Sequence, residues 1–291
     1  MDILTLVLVF AFLWYLVNVI WFIWLTRRNW SLETWFLRSV SISIFLSPLL
    51  FFADFSTLSV ENIAYIFLIW LIWAAWIIIH YETYNYLPAW ISKAIISTYN
   101  IFILLLWYLV YDEKLSVYWY IWASIILVSW ICISLVKSQH PHLNKSFAYW
   151  IFLSFMRAIT MAIWVFWFAY FSREADVKAV SFMSEFTVFV WMLPFFMYRY
   201  IKKWNTYKSI SKDDFLKIWL FSVWSAIWSF CVFYAMTLTK VWYVTLLLAT
   251  TNIFVWLFWH FFFNEKLYKI QWFLIFTTVI WLVFLSFDKI S

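Results

Sequence analysis

Residues 99–115 read YNIFILLLWYLVYDEKL, and residues 251–267 read TNIFVWLFWHFFFNEKL. Each stretch is an apolar run of helical length that ends in a charged Glu-Lys-Leu turn, and an NIF triplet lies at the same place in both. The two stretches stand at a fixed offset of 152 residues. Shared apolarity alone does not bring two NIF and two EKL triplets into one register. The sequence therefore predicts two copies of one unit.

Apolar residues dominate the whole chain of 291 residues, of which 67% are hydrophobic and 12% charged, whereas a soluble domain carries about 25% charged residues. Continuous apolar runs of about 20 residues are long enough to cross hydrocarbon as helices. Because a backbone in lipid must satisfy its own hydrogen bonds, the composition predicts an all-α integral membrane protein. Ten predicted spans cover residues 3–25, 33–53, 61–81, 87–111, 117–136, 147–171, 177–198, 215–237, 241–263 and 268–287.

The offset of 152 residues aligns the last three spans of each half without a gap. We therefore interpret the chain as two five-helix repeats, residues 1–137 and residues 147–291. An odd number of spans in each repeat places the two repeats in opposite orientations in the membrane. Inverted repeats are typical of secondary transporters, which bind their substrate near the bilayer midplane where the repeats meet. Identical residues at this offset include Ala74 with Ala226, Thr98 with Thr250, and Ser134 with Ser286.

The chain contains no glycine and 26 tryptophans, although membrane helices normally use glycine more often than soluble ones. Many tryptophans fall in the middle of apolar runs at helical spacing, as Trp70, Trp73 and Trp76 do. Small residues normally occupy such positions and let membrane helices approach. We hypothesise that most of these tryptophans stand for glycine, through a gene whose UGA codons are decoded as glycine but read here as tryptophan. The alternative is a genuinely tryptophan-rich protein.

A charged turn preceded by a large apolar run ends each repeat, as YDEKL at residues 111–115 and FNEKL at residues 263–267. An arginine, Arg38, lies in the second span, and a Tyr-rich end of the third span precedes a proline at residues 80–88. By these features the chain resembles the EamA-type transporters of the drug/metabolite transporter (DMT) superfamily over essentially its whole length. The resemblance implies a ten-helix carrier in the inner (plasma) membrane that moves metabolites, amino acids or drugs, often as an exporter. Trp107 stands where the family pattern has glycine.

Ionisable side chains inside membrane spans are functional candidates by default. Three are basic, namely Arg38, Lys93 and Arg157, and one clearly internal residue, Glu185, is acidic. The basic excess predicts an electropositive cavity and a substrate with a carboxylate or phosphate group, which arginine can bind with two hydrogen bonds.

Structural alternatives exist for each of these charged groups. Arg38 and Lys93 lie close enough to span ends to extend their charges toward the headgroups. Arg157 and Glu185 belong to adjacent spans and can form a buried pair that fixes helix register. Glu185 otherwise serves as a counter-ion or as the carrier of a coupling proton.

Two asparagines, Asn100 and Asn252, occupy equivalent positions in the fourth and ninth spans. An amide at such a position either lines the substrate path or hydrogen-bonds to a neighbouring helix. The candidate substrate-binding residues are therefore Arg38, Lys93, Arg157, Asn100 and Asn252, with Glu185 as the coupling or counter-ion residue.

Signatures of enzymes and cofactor sites are absent from the sequence. It contains no HExxH motif, and replacing every tryptophan by glycine creates no phosphate-binding loop. Cys132 and Cys231 lack the spacing of a disulfide framework or a metal site. We expect no catalytic activity, no cofactor and no metal. The net charge of +6 resides mainly in loops, so it requires no nucleic-acid partner.

Taken together, these features predict a secondary-active exporter of a small anionic or zwitterionic metabolite that works by alternating access. Its expected partners are the substrate, the lipid bilayer and a coupling ion, with H⁺ and Na⁺ as candidates, and it acts as a monomer or a homodimer. Two alternatives stay open: a flippase for a lipid-linked anion, and a non-transporting membrane subunit of a larger assembly. The loop charges predict termini outside the cell, whereas the family resemblance implies cytoplasmic termini.

Overall fold

The computed structural model describes residues 3–87, 89–96, 98–111, 147–202, 210–249 and 251–263, with isolated positions at 117, 121, 124, 125, 269, 272, 273 and 276. Within these ranges the regular structure is helical, without strands. The α-helices are α1 (Ile3–Arg28), α2 (Ser31–Leu46), α3 (Val60–Tyr86), α4 (Ala89–Ile96), α5 (Tyr99–Tyr111), α6 (Phe147–Glu174), α7 (Val177–Lys202), α8 (Lys212–Leu238), α9 (Val241–Ala249) and α10 (Thr251–Phe263), and two short 3-10 helices, Ser47–Phe51 and Phe55–Thr57, lie between α2 and α3.

Six described segments are long and apolar enough to cross a membrane, judged by length and composition, with mean hydropathies from 1.4 to 2.5. The prediction of a helical, multi-pass membrane protein is thereby confirmed. The six segments are Ile3–Arg28, Ser31–Phe51, Val60–Ile77, Tyr149–Glu174, Val177–Lys202 and Lys212–Leu238.

Two long helices, α3 and α8, begin in the same way and are each 27 residues long. The hydroxyl of Ser59 accepts a hydrogen bond from the backbone N–H of Asn62 at 3.0 Å. The hydroxyl of Ser211 accepts one from the backbone N–H of Asp214 at 3.1 Å. Each serine satisfies a donor that the first helical turn leaves without an intrahelical partner, which fixes where the helix starts.

The span predicted over residues 87–111 is divided into two helices, α4 and α5. Thr98 lies in a turn between them, and both its backbone N–H and its hydroxyl donate to the carbonyl oxygen of Ile95, at 3.1 and 2.7 Å. Helix α5 then begins at Tyr99. The turn places Tyr99 and Asn100 at the start of a new helix inside the apolar run.

Long helices from distant parts of the sequence pack antiparallel. The rings of Trp14 and Trp224 stack with their centroids 3.7 Å apart, and Arg28 lies 3.8 Å from Asp214 at the far end of the same helix pair. Helices α1 and α8 therefore run in opposite directions. Helices α3 and α6 also pack antiparallel, as two ring pairs show: Tyr65 with Trp167 and Tyr86 with Trp150.

One end of the bundle, here called the first face, is where α1 begins and where the α2–α3 connection meets the turn between α6 and α7. The carboxylate of Asp176 accepts a hydrogen bond from the backbone N–H of Asp54 at 2.8 Å. The backbone N–H of Asp176 donates to the Thr57 hydroxyl at 2.9 Å. The ammonium of Lys178 donates to the carbonyl oxygen of Phe52 at 2.9 Å. Residues from both halves of the chain are thus joined at the first face.

The opposite end of the bundle, the second face, joins the α1–α2 connection to the end of α7 and the start of α8. Asp214 accepts a hydrogen bond from the side-chain amide of Asn29 at 3.2 Å and lies 3.8 Å from the Arg28 guanidinium. Arg199 lies 3.8 Å from Glu33, whose side chain is buried. Contacts between the two halves of the chain therefore exist at both faces.

Candidate functional site

A cavity of about 60 Å³ lies inside the bundle, and both halves of the chain line it. Helices α1 to α5 contribute from the first half, and α6, α7 and α8 from the second. Its polar lining is supplied by Tyr15, Asn18, Arg38, Tyr99, Arg157 and Glu185.

Arg38 on α2 and Glu185 on α7 form an ion pair in the wall of this cavity. The Nη1 atom of Arg38 lies 3.9 Å from Oε2 of Glu185, and the two residues are 4% and 8% exposed. The other carboxylate oxygen, Oε1, accepts a hydrogen bond from the hydroxyl of Ser229 on α8 at 3.0 Å. Charge and hydrogen bonding together offset the desolvation of a buried carboxylate.

Arg157 on α6 supplies a second guanidinium to the cavity and is 2% exposed. Its Cζ atom lies 3.8 Å from the centre of the Trp73 ring, and its Nη2 atom lies 3.5 Å from the sulfur of Met161. A guanidinium over an indole face gains a cation–π interaction. The positive charge is therefore held beside the cavity rather than at a lipid headgroup.

The structure places three of the predicted site residues, Arg38, Arg157 and Glu185, around one cavity. Arg38 does not extend toward the headgroups, because it is buried against Glu185. Glu185 was a candidate partner for Arg157, and the structure pairs it with Arg38 instead. Asn100 is 4% exposed at the start of α5, next to the cavity-lining Tyr99. Lys93 and Asn252 lie on α4 and α10, and their side chains are outside the described residues.

Two polar residues of the cavity wall, Asn18 and Tyr15, were missed from the sequence. The amide oxygen of Asn18 accepts a hydrogen bond from the hydroxyl of Ser225 on α8 at 2.8 Å. An amide in the middle of the first apolar run was a usable signal for Asn18. Tyr15 gave no such signal, because 27% of the chain is aromatic.

The charged groups that line the described part of the cavity are two guanidinium groups and one carboxylate, so with Glu185 ionised the formal sum is one positive charge. Charge–charge attraction is much stronger in a buried site than in water. Guanidinium groups bind carboxylate and phosphate with charge-assisted, often bidentate hydrogen bonds. The site has the chemistry to hold an anion, and Glu185 offers an acceptor for a cationic group on the same molecule.

No protein-family model matches the chain, and no curated protein matches it.

Proposed function

We propose that the chain is a secondary-active carrier that exports a small anionic or zwitterionic metabolite across the inner (plasma) membrane. In this proposal it is a ten-helix member of the EamA-type drug/metabolite transporters, built from two inverted five-helix repeats. The observation that carries the proposal is that Arg38, Arg157 and Glu185 are buried around one cavity lined by both halves of the chain. Charged groups inside a membrane protein usually mark a substrate or ion path.

Helix bounds support the inverted repeat. Helices α3, α4 and α5 start at residues 60, 89 and 99, and α8, α9 and α10 start at residues 212, 241 and 251, each pair at the offset of 152. Packing partners also occur in equivalent pairs. The repeat relates the pair α1 and α8 to the pair α6 and α3, and all four of these helices pack accordingly. In the same way it relates the pair α2 and α8 to the pair α7 and α3, and the pair α4 and α10 to the pair α9 and α5, and each of these pairs is in contact. A pseudo-twofold relation between the halves accounts for this pattern.

Helix direction supports an odd number of spans in the first half. Phe102 contacts Phe155, and further along both helices Trp107 contacts Phe166, so α5 and α6 run in parallel. Helix α5 therefore ends at the face where α6 also ends, and α6 begins at the opposite face. The proposal assigns the required return crossing to the fifth predicted span, residues 117–136, most of which lies outside the described residues.

Alternating access in this architecture requires the contacts at the two faces to open in turn. A substrate carboxylate or phosphate between Arg38 and Arg157 would be bound by both guanidinium groups, and a substrate ammonium would face Glu185. Because the contacts at each face join opposite halves of the chain, rocking one half against the other breaks one set while the other stays closed. H⁺ and Na⁺ remain the candidate coupling ions.

A transport assay with purified protein in proteoliposomes tests this function. The probes are radiolabelled glutamate, succinate and glycerol phosphate, measured as counterflow without any other protein. We expect Arg157→Gln to lower counterflow of the transported anion by about 10- to 100-fold, the equivalent of one lost charge-assisted hydrogen bond. Arg27→Gln is the control, because Arg27 is exposed at the second face.

Two outcomes would contradict the proposal. Absence of counterflow for every solute tested would favour the non-transporting membrane subunit. Unchanged counterflow in both Arg157→Gln and Arg38→Gln, with normal expression, would show that the buried arginines do not bind the anion.

A further inference from the structure

We infer that positions 35, 73 and 164 are glycine in the protein that the native organism makes, and that the site accordingly takes an organic anion of metabolite size. The inference rests on the proposed function and on the repeat that it includes. All three positions are printed as tryptophan, and all three line the cavity.

Composition gives the first reason. Average usage of about 7% would give a chain of this length about 20 glycines, and this chain has none, against 26 tryptophans. If UGA codons that the organism decodes as glycine are translated as tryptophan, the glycine count falls and the tryptophan count rises, as observed.

Equivalent positions in the two halves give the second reason. Trp73 lies as far from the start of α3 at Val60 as Ser225 lies from the start of α8 at Lys212. Trp164 and Asn18 are each ten residues before the ends of their helices, α6 at Glu174 and α1 at Arg28. Trp35 and Ser181 are each four residues after the starts of α2 at Ser31 and α7 at Val177. Each tryptophan therefore has a smaller polar residue as its counterpart.

The helix crossings themselves give the third reason. At the crossing of α1 and α8, Asn18 and Ser225 are joined by a hydrogen bond of 2.8 Å. At the equivalent crossing of α6 and α3, Trp164 and Trp73 stack with their ring centroids 4.2 Å apart and an interplanar angle of 11°. The indole N–H of Trp164 is buried with no hydrogen-bond partner among the described residues, whereas buried indoles usually find one. Close membrane crossings normally use small residues.

Glycine at these positions changes what the site can bind. Trp73 and Trp35 lie under the two cavity arginines, with the Cζ atoms of Arg157 and Arg38 at 3.8 and 4.3 Å from their ring centres. Removal of these indoles would free the face of each guanidinium group that now lies against a ring. The present volume of about 60 Å³ suits a few waters or a small inorganic ion, whereas sites for organic ligands span about 300–1,000 Å³. Loss of three indole side chains from the lining would enlarge the cavity toward this range.

Peptide mass spectrometry of the protein purified from its native organism tests the assignment directly and needs no folded variant. The expected result is a glycine mass at positions 35, 73 and 164. A tryptophan mass at any of the three overturns the inference, while the proposed carrier function stands or falls by its own transport assay.

Binding by the purified protein tests the substrate class. The triple variant Trp35→Gly, Trp73→Gly and Trp164→Gly is compared with the printed chain, with glutarate and inorganic phosphate as probes in isothermal titration. We expect glutarate to bind the triple variant at least about tenfold more tightly than it binds the printed chain, by analogy with one charge-assisted contact. Phosphate should bind the triple variant more weakly than glutarate does. Trp21→Gly is the matched control, because Trp21 is 36% exposed, stacks on Phe221 of α8 and is not part of the cavity lining.

Three further results decide the remaining cases. If the triple variant does not fold, the pair Trp73→Ser and Trp164→Asn, which copies Ser225 and Asn18, replaces it. Equal glutarate binding by the variant and the printed chain overturns the assigned substrate class. Tight glutarate binding that survives Arg157→Gln in the variant background upholds the larger site but contradicts the arginine site of the proposed function.

Discussion

Glu185 serves two neighbours at once, because it accepts a hydrogen bond from Ser229 and lies 3.9 Å from Arg38. A buried ion pair contributes little net stability relative to an apolar pair, because desolvation offsets the attraction. Removal of one partner is different, since it leaves the other charge buried without compensation. The ion pair therefore adds little net stability, but removal of one partner is expected to destabilise the fold strongly.

Glu185→Gln is expected to lower the free energy of unfolding by about 3–5 kcal/mol, the range for an isolated buried charge. The measurement is thermal unfolding of the purified protein in detergent. Asp213→Asn is the control: Asp213 is exposed, and its pair with Lys217 is worth about 0–1 kcal/mol. The double variant Arg38→Gln and Glu185→Gln should recover part of the loss, and a double variant less stable than both single variants would contradict the pairing.

The sequence predicts Arg38, Arg157 and Glu185 as site candidates because a charge inside an apolar run is conspicuous, and the structure places all three at one cavity. It did not identify which arginine pairs with Glu185, because pairing depends on how α2, α6 and α7 are rotated about their axes. Rotation is set by packing between helices, and a chain that is apolar on all sides carries little record of it. The role of Tyr15 in the cavity wall was unpredictable for the same reason, whereas Asn18 was an amide in an apolar run and could have been predicted.

Among the elements, α3 and α8 are each capped at their start by one serine hydroxyl. Ser59→Ala and Ser211→Ala should each lower the free energy of unfolding by about 1 kcal/mol, the usual value of an N-cap. Hydrogen exchange should quicken in the first turn of the affected helix. Ser59→Asp keeps an acceptor at the cap and should restore protection. Equal hydrogen exchange in the unchanged protein, Ser59→Ala and Ser59→Asp would argue against capping.

The α2–α3 connection is held at the first face by the carboxylate of Asp176, so the stability of this contact depends on the ionisation of Asp176. Burial of Asp176 raises the pKa of its carboxyl, but hydrogen bonds from the backbone N–H groups of Asp54 and Lys178 and the charge of Lys178 outweigh this, so the pKa lies below the ordinary 3.8. A carboxyl with a depressed pKa in the folded state adds stability above pH 3.8, and that contribution disappears as the pH falls through its folded pKa.

Asp176→Asn should therefore lower the melting temperature at pH 6 and have a steadily smaller effect as the pH falls below 3.8. The measurement is thermal unfolding of both proteins over the pH range from about 3 to 7. Glu61→Gln changes an exposed carboxylate near the same face and should have little effect at any of these pH values. A constant difference between Asp176→Asn and the unchanged protein across this range would exclude the ionised contact.

The positions of the described helices were largely predictable from apolar runs and the charges between them, and the turn at Thr98 was not. The run from residue 87 to residue 111 contains no glycine to mark a break, and its proline lies at the very start. The usable signal was the polar segment at residues 97–100. Within it the hydroxyl of Thr98 donates to the carbonyl oxygen of Ile95, a local side-chain hydrogen bond that competes with continuation of the helix.

For the whole molecule, contacts between the halves at both faces make a direct test of alternating access possible. In a background with Cys132 and Cys231 replaced, a short bifunctional thiol reagent can join Asp54→Cys to Asp176→Cys at the first face. A second protein carries Arg28→Cys and Asp214→Cys at the second face. Either cross-link should abolish transport, because each prevents one face from opening.

The control cross-link lies within one half of the molecule. Arg173 on α6 donates to the carbonyl oxygen of Thr239 after α8 at 3.0 Å, and both residues belong to residues 147–291. Cross-linked Arg173→Cys and Thr239→Cys should retain transport. Transport that persists with either face closed would rule out rocking of one half against the other.

The hydrogen bond between Asn18 and Ser225 also bears on how the protein is made. Helix α1 leaves the ribosome long before α8, its antiparallel partner. The amide of Asn18 therefore enters the membrane before Ser225, its hydrogen-bond partner, has been synthesised. A chain truncated after residue 146, which lacks α8, should therefore be recognised and degraded by membrane proteases. Co-expression of residues 147–291 as a separate polypeptide should rescue residues 1–146, because it supplies the missing partner in trans.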